Sequence, residues 1–145
     1  MTVAYQRILV PLDGSERVAS ALVHAEAIAK LAQAQIKLIQ VIPSAAMLVS
    51  ETAVSTPGMG LPTVDPFLSA SQFESVEKSL EADAKNTLDT AAAPLLAHGL
   101  AVETVILQGS PADTILHYAE QQKIDLIVMS THGRTGLARL VFGSV

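Results

Sequence analysis

Two short apolar runs bracket one amphipathic stretch near the N-terminus, and this alternation limits the fold more than any other feature of the chain. Arg7 to Leu12 (RILVPL) and Gln35 to Ile42 (QIKLIQVI) are too short for helices, and each ends at a turn signal, so both are predicted strands. Between them SERVASALVHAEAIAKLAQ sets Val18, Leu22, Ala25, Ala29 and Ala32 at helical spacing, with Ala21 and Ile28 widening the stripe. Ser15 is the expected N-cap of that helix. Strand, tight turn, helix, strand is the unit of a parallel sheet, because parallel neighbours cannot be joined by a hairpin.

The unit repeats. Gln72 to His98 places Phe73, Val76, Leu80, Ala84, Leu88 and Ala91 on one face and stops at Gly99, with Pro94 expected to kink its last turns or start a fresh one. Ala101 to Leu107 reads as a strand, and SPADTILHYAEQQ as a helix with Ser110 as cap, Pro111 at the first position and Asp113 at the third, a capping-box-like arrangement. Ile124 to Met129 (IDLIVM) is a nearly all-apolar strand of the kind covered on both faces. The fold class that follows is α/β, an open, doubly wound parallel sheet, in one domain over residues 1–145. Residues 43–70, rich in Pro, Ser, Thr and Gly, are too long for an ordinary connection and read as a flexible loop, either a mobile lid or a disordered insertion, the second being favoured.

Composition removes several function classes. The chain carries 9 Lys plus Arg against 14 Asp plus Glu, a net charge of −5, which speaks against coating nucleic acid or an anionic membrane and for a small ligand or a protein partner. Arg134 and Arg139 form a local basic cluster that could still meet a phosphate. With no cysteine there is no disulfide frame, thiolate metal site or Cys nucleophile. Pro11 and Asp13 interrupt the first apolar stretch, so no secretory signal is read there, and no segment is long enough to span a bilayer; a soluble cytoplasmic protein is expected.

In open parallel sheets the ligand crevice lies outside the carboxyl ends of the strands, where the strand order reverses. If the order is 3-2-1-4, the turn PLDGS after the first strand and STHGRTG after the fourth are neighbours at that point. Asp13 then has two readings, an Asx turn or helix cap and an acceptor for a ligand's amino or hydroxyl groups. Gly133 to Ser144 supplies glycines whose amides can converge on phosphate oxygens, Arg134 a charge-assisted donor, and Gly143-Ser144 a helix start. It is not a Walker loop, since both the spacing and the lysine are missing. His132 reads as a loop-shaping or phosphate-facing residue, because no Ser-His-Asp or metal-ligand spacing surrounds it.

ILVPLDGSERVASAL, LIQVI, LQGSPADTIL and DLIVMSTHGRTGLARLVFGSV, in that order and over nearly the whole chain, resemble the universal stress protein family. The last segment is similar to the family's ATP-binding signature of Gly-x-x-Gly, nine residues and Gly-Ser or Gly-Thr, with Ser130 at the first glycine's place, Gly133 at the second and Gly143-Ser144 closing it. The resemblance implies a Rossmann-like fold of the adenine nucleotide alpha hydrolase type. It continues beyond Val145 with a helix and a final strand through which members usually dimerise, so the chain is expected to be C-terminally incomplete.

The resemblance also implies that Asp13 lies against the adenosine half of the ligand, that the backbone around Val41 contacts adenine, and that Met129, Gly133, Gly143 and Ser144 surround the ribose and phosphates. The expected nucleotide-binding set is Pro11, Leu12, Asp13, Val41, Met129, Ser130, His132, Gly133, Arg134, Gly143, Ser144 and Val145. The expected ligand is ATP, with AMP or cyclic AMP as alternatives and Mg²⁺ as the ion that would accompany ATP. The expected function is a stress regulator working through nucleotide-dependent conformation or partner binding, not an enzyme, though slow ATP hydrolysis stays open. Two rival readings are an interaction module of the same family that binds no ATP and a phosphohydrolase with Asp13 as nucleophile. The second is weakened by Pro11 and Ser15, which stand where an Asp-x-Asp motif has its other aspartate.

Overall fold

The computed structural model describes residues 4–15, 18–44, 47 and 70–130. They form β1 (Arg7–Leu12), α1 (Val18–Ala32), β2 (Gln35–Ile42), α2 (Ala70–Ala97), β3 (Val102–Gln108), α3 (Pro111–Gln121) and β4 (Leu126–Ile127). The four strands make one sheet in the order β3-β2-β1-β4, every pair parallel, which is the doubly wound α/β arrangement with its reversal at β1.

Each face of the sheet has its own core. Ile8, Val10 and Leu12 of β1 and Ile36 and Leu38 of β2 pack against α1 and α2, and the alternate residues Leu9 and Ile39 pack against Ile115 of α3. The period of two in the strands therefore sorts the side chains between two helical layers. On α1 the buried positions Ala21, Ala25 and Ala29 recur every fourth residue, and such small side chains let the helix sit close on the sheet.

α2 buries Ala84, Leu88, Ala92 and Leu95, but its first turns do not join the core, and Val76 is 43% exposed, against the expectation that it faces inward. The helix runs through Pro94 to Ala97, with the Pro94 carbonyl accepting the His98 amide at 3.1 Å. It closes as expected at Gly99, whose φ of +80° allows its amide to reach Leu96 O while Leu100 N reaches back to Leu95 O. α1 closes with the same long bond, Ala34 N to Ala29 O, on Gln33 at φ +54°, a stop with no glycine to announce it.

Two local expectations, the Ser110 cap and the length of the fourth strand, are corrected. Ser110 has the extended backbone of an N-cap, with Pro111 following, but its side chain makes no cap hydrogen bond; its carbonyl accepts the Thr114 amide instead. The Ser15 hydroxyl donates to Asp13 at 2.6 Å, and the Ser15 carbonyl accepts the Val18 amide at 3.3 Å where α1 begins. The strand expected over 124–129 is only Leu126–Ile127, and both of its residues are half-buried. Asp125 explains its start: the carboxylate accepts the amides of Gln6 and Arg7 at 2.8 and 2.9 Å and pins the strand entrance sideways on β1. The loop expected over 43–70 lies outside the described residues except for Pro43, Ser44, Met47 and Ala70. Among the described residues no helix is long and apolar enough to cross a membrane.

Candidate functional site

β1 pairs with β2 along its whole length, Arg7 to Leu12, but with β4 only at Ile8 and Leu9. The last bond between β1 and the β4 segment runs from Val128 N to Leu9 O. Beyond it the two chains part, and Val10 to Leu12 have no β4 partner among the described residues. The short fourth strand is thus the reason a crevice opens at the carboxyl end of the sheet.

A cleft of about 230 Å³ lies there. Pro11, Leu12 and Asp13 line it from β1 and its turn, Gln40 and Val41 from β2, and Met129 and Ser130 from the exit of β4. Val18 and Ala21 of α1 close one side, and Pro111 and Ile115 of α3 the other, so the cleft reaches both faces of the sheet. Most of these side chains are apolar, with Asp13, Gln40 and Ser130 as the polar groups, the mixture that holds a flat apolar ligand and fixes its orientation through a few hydrogen bonds.

The PLDGS turn holds Asp13 in place. Oδ1 accepts the Ser15 amide at 2.9 Å and the Ser15 hydroxyl at 2.6 Å, an Asx turn that the left-handed Gly14, φ +78°, makes room for. Of the two readings of Asp13, the turn is observed. It occupies one carboxylate oxygen, and no donor among the described residues meets the other. Gln40 is the second polar wall: its Oε1 is buried and has no hydrogen-bond partner among the described residues.

The buried Lys37 belongs to another layer. It stands opposite Glu103 in the β2–β3 register, with Nζ 2.5 Å from Oε2. Tyr118 of α3 lies beside the pair, and burial pushes its phenol above the ordinary value. None of the three lines the cleft. Among the described residues no group of three His, Cys, Asp or Glu could hold a metal ion.

Of the expected site residues, Pro11, Leu12, Asp13, Val41, Met129 and Ser130 are brought together around this one cleft. His132, Gly133, Arg134, Gly143, Ser144 and Val145 lie outside the described residues. Sequence reasoning missed Gln40, Val18, Ala21, Pro111 and Ile115 as lining residues. The helix positions carried no sign beyond their apolar spacing, but Gln40 did, as the polar interruption near the end of QIKLIQVI.

The universal stress protein family model matches residues 4–145. The chain belongs to that family. Two universal stress proteins of Methanocaldococcus jannaschii are similar to it: MJ0531, 33% identical over 97% of this chain and 73% of its own length, and MJ0577, 30% identical over 100% and 88%. The solved structure of MJ0577 superposes with a TM-score of 0.69 at 26% identity, covering 92% of this chain and 80% of that one. Two further universal stress protein structures share the fold. One is in complex with cAMP, with a TM-score of 0.64, 22% identity, and coverage of 99% of this chain and 88% of that one. The other, from Archaeoglobus fulgidus, is in complex with dAMP, with a TM-score of 0.58, 19% identity, and coverage of 88% and 82%. Adenine-nucleotide complexes thus occur among universal stress proteins of this fold.

Proposed function

We propose that this universal stress protein binds an adenine nucleotide, ATP foremost, in the cleft at the ends of β1, β2 and β4, and that occupancy alters its conformation or its choice of partner. The observation that carries the reading is the meeting of the PLDGS turn with Met129 and Ser130 in one cleft, although they stand at opposite ends of the described sequence. The cleft is smaller than the ~300–1,000 Å³ typical of a pocket for a whole drug-sized ligand, and suits the nucleoside part of one. Asp13 and Gln40 offer acceptors to amino or hydroxyl groups, and the apolar walls suit a base. In this proposal the phosphates extend towards His132, Gly133, Arg134, Gly143, Ser144 and Val145, with Mg²⁺ accompanying ATP. The cAMP and dAMP complexes of its fold neighbours support the ligand class.

Binding is favoured over phosphoryl transfer by the lining itself. Asp13 is the one carboxylate among the described lining residues, and one of its oxygens is engaged by Ser15, whereas an aspartyl nucleophile needs a nearby acid or base to serve it. The protein is further proposed to act in the cytoplasm as a homodimer with a regulatory protein partner. Calorimetric titration with ATP and AMP in the presence of Mg²⁺ tests the reading. Saturable binding with Kd below about 1 mM, or about −4 kcal/mol, is expected, and its absence with both nucleotides would refute nucleotide binding.

A further inference from the structure

Gln40 is an anomaly in its strand. Ile36 and Leu38, the two earlier residues on the same face of β2, are buried in the core beneath α1 and α2, and Gln40 continues their row into the cleft. Its register partner on β1 is Leu12, next to Asp13. A Cβ on Gly14 would stand 3.9 Å from Gln40 Nε2, so the carboxamide reaches from β2 to the underside of the turn that carries Asp13. Its Oε1 is removed from water and given no donor in return among the described residues. A buried acceptor without a partner lowers stability, and a leucine would fill the same space without that cost.

We infer that Gln40 determines the specificity of the cleft: its carboxamide turns to accept a hydrogen bond from an amino or hydroxyl group of the nucleoside, selecting ligands that carry that donor. This rests on the nucleotide reading above. A site with a buried group waiting for a donor discriminates sharply against an analogue lacking it, because the group is then left unpaired in the complex as well. Asp13 presents a carboxylate oxygen to one end of the ligand and Gln40, once its carboxamide turns, an amide oxygen, and an anionic group is unwelcome beside a carboxylate, so that end is the nucleoside and not the phosphate.

Titrations of AMP, inosine monophosphate and 2′-deoxy-AMP into the wild type and Gln40→Leu test the inference, since the first analogue replaces the base amino group and the second removes a ribose hydroxyl. The wild type is expected to prefer AMP over one of the two by about tenfold or more. In Gln40→Leu that preference falls to near unity through weaker AMP binding, while the thermal midpoint stays level or rises. Gln40→Met, with a flexible side chain of similar length, serves as a second variant should the leucine disturb the fold, and the same loss is expected. Which analogue regains parity tells whether the donor is the base amine or the hydroxyl. A wild-type preference kept intact in either folded variant, or equal binding of all three nucleotides by the wild type, would overturn the role of Gln40 and leave nucleotide binding standing. Failure of the wild type to bind any of the three would remove the nucleotide reading itself, and this inference with it.

Discussion

Asp13 and Ser15 are locked to each other, the Asp13 Oδ1 receiving both the amide and the hydroxyl of the serine at 2.9 and 2.6 Å. The lock fixes the direction of the second carboxylate oxygen at the mouth of the cleft. Asp13→Ala is expected to weaken AMP binding by about tenfold to a hundredfold, the loss of a hydrogen bond to a charged group worth about 1.5–3 kcal/mol. Ser15→Ala, which only frees the carboxylate to rotate, should cost less than Asp13→Ala. Isothermal titration separates the two, and equal affinities for Asp13→Ala and wild type would take Asp13 out of the site.

Asp125 ties the entrance of the fourth strand to the start of β1, and its contribution depends on pH. The amides of Gln6 and Arg7 hold its carboxyl below the ordinary aspartate value. A folded-state pKa below the unfolded one stabilises the protein above the ordinary value of about 3.9, and that stabilisation is lost as pH falls through the depressed folded value. Asp125→Asn is therefore expected to melt below the wild type at neutral pH, with the gap closing in acid. Thermal melts of both proteins across that range check the sign.

Much of this arrangement is written in the sequence, and what is hidden has identifiable causes. The runs RILVPL and QIKLIQVI became β1 and β2 at the bounds their turn signals mark, since strands buried on both faces leave a dense apolar record. The helices lying between the strands implied parallel pairing, and the sheet has the order that the sequence reading set as the condition for PLDGS to meet the turn after the fourth strand. The length of β4 was illegible, because IDLIVM is as apolar as a long strand, while its start is anchored by Asp125 on two amides more than a hundred residues away and its ladder stops at Ile127. The end of α1 on Gln33 was equally silent, as its left-handed turn is imposed by the Ala34 to Ala29 bond and not by glycine. Ser110 announced a cap that its side chain does not make. Gln40 was visible as a polar residue in an apolar run, but only the packed sheet shows that its oxygen lacks a partner among the described residues.

The smaller core face is the more exposed to damage. Leu9 is 0% exposed, and among the described residues its cluster of buried side chains contains only Ile39 and Ile115 besides. Leu9→Ala is expected to cost about 2–5 kcal/mol in chemical denaturation, the range for a buried leucine whose cavity does not collapse. Leu31→Ala, at a position 90% exposed on α1, should stay within about 0.5 kcal/mol.

The two single substitutions at the Lys37–Glu103 pair are expected to be unequal. Lys37 is only 6% exposed whereas Glu103 is open to solvent, so the two ends do not share the desolvation equally. Glu103→Gln leaves the buried ammonium without its counter-ion and should destabilise by about 1–2 kcal/mol, less than the ~3–5 kcal/mol of a fully buried pair. Lys37→Met removes the buried charge and is expected to be neutral or stabilising. Denaturation midpoints of the two variants give the order.

The central claim is that the ends of β1, β2 and β4 share one nucleotide site. Amide chemical-shift mapping of the isotope-labelled protein during an AMP titration tests it most directly. The expected result is saturable shifts at Leu12–Asp13, Gln40–Val41 and Met129–Ser130, all with one dissociation constant. Saturable shifts confined to the outer faces of α1 and α2, with these three segments unmoved, would contradict it.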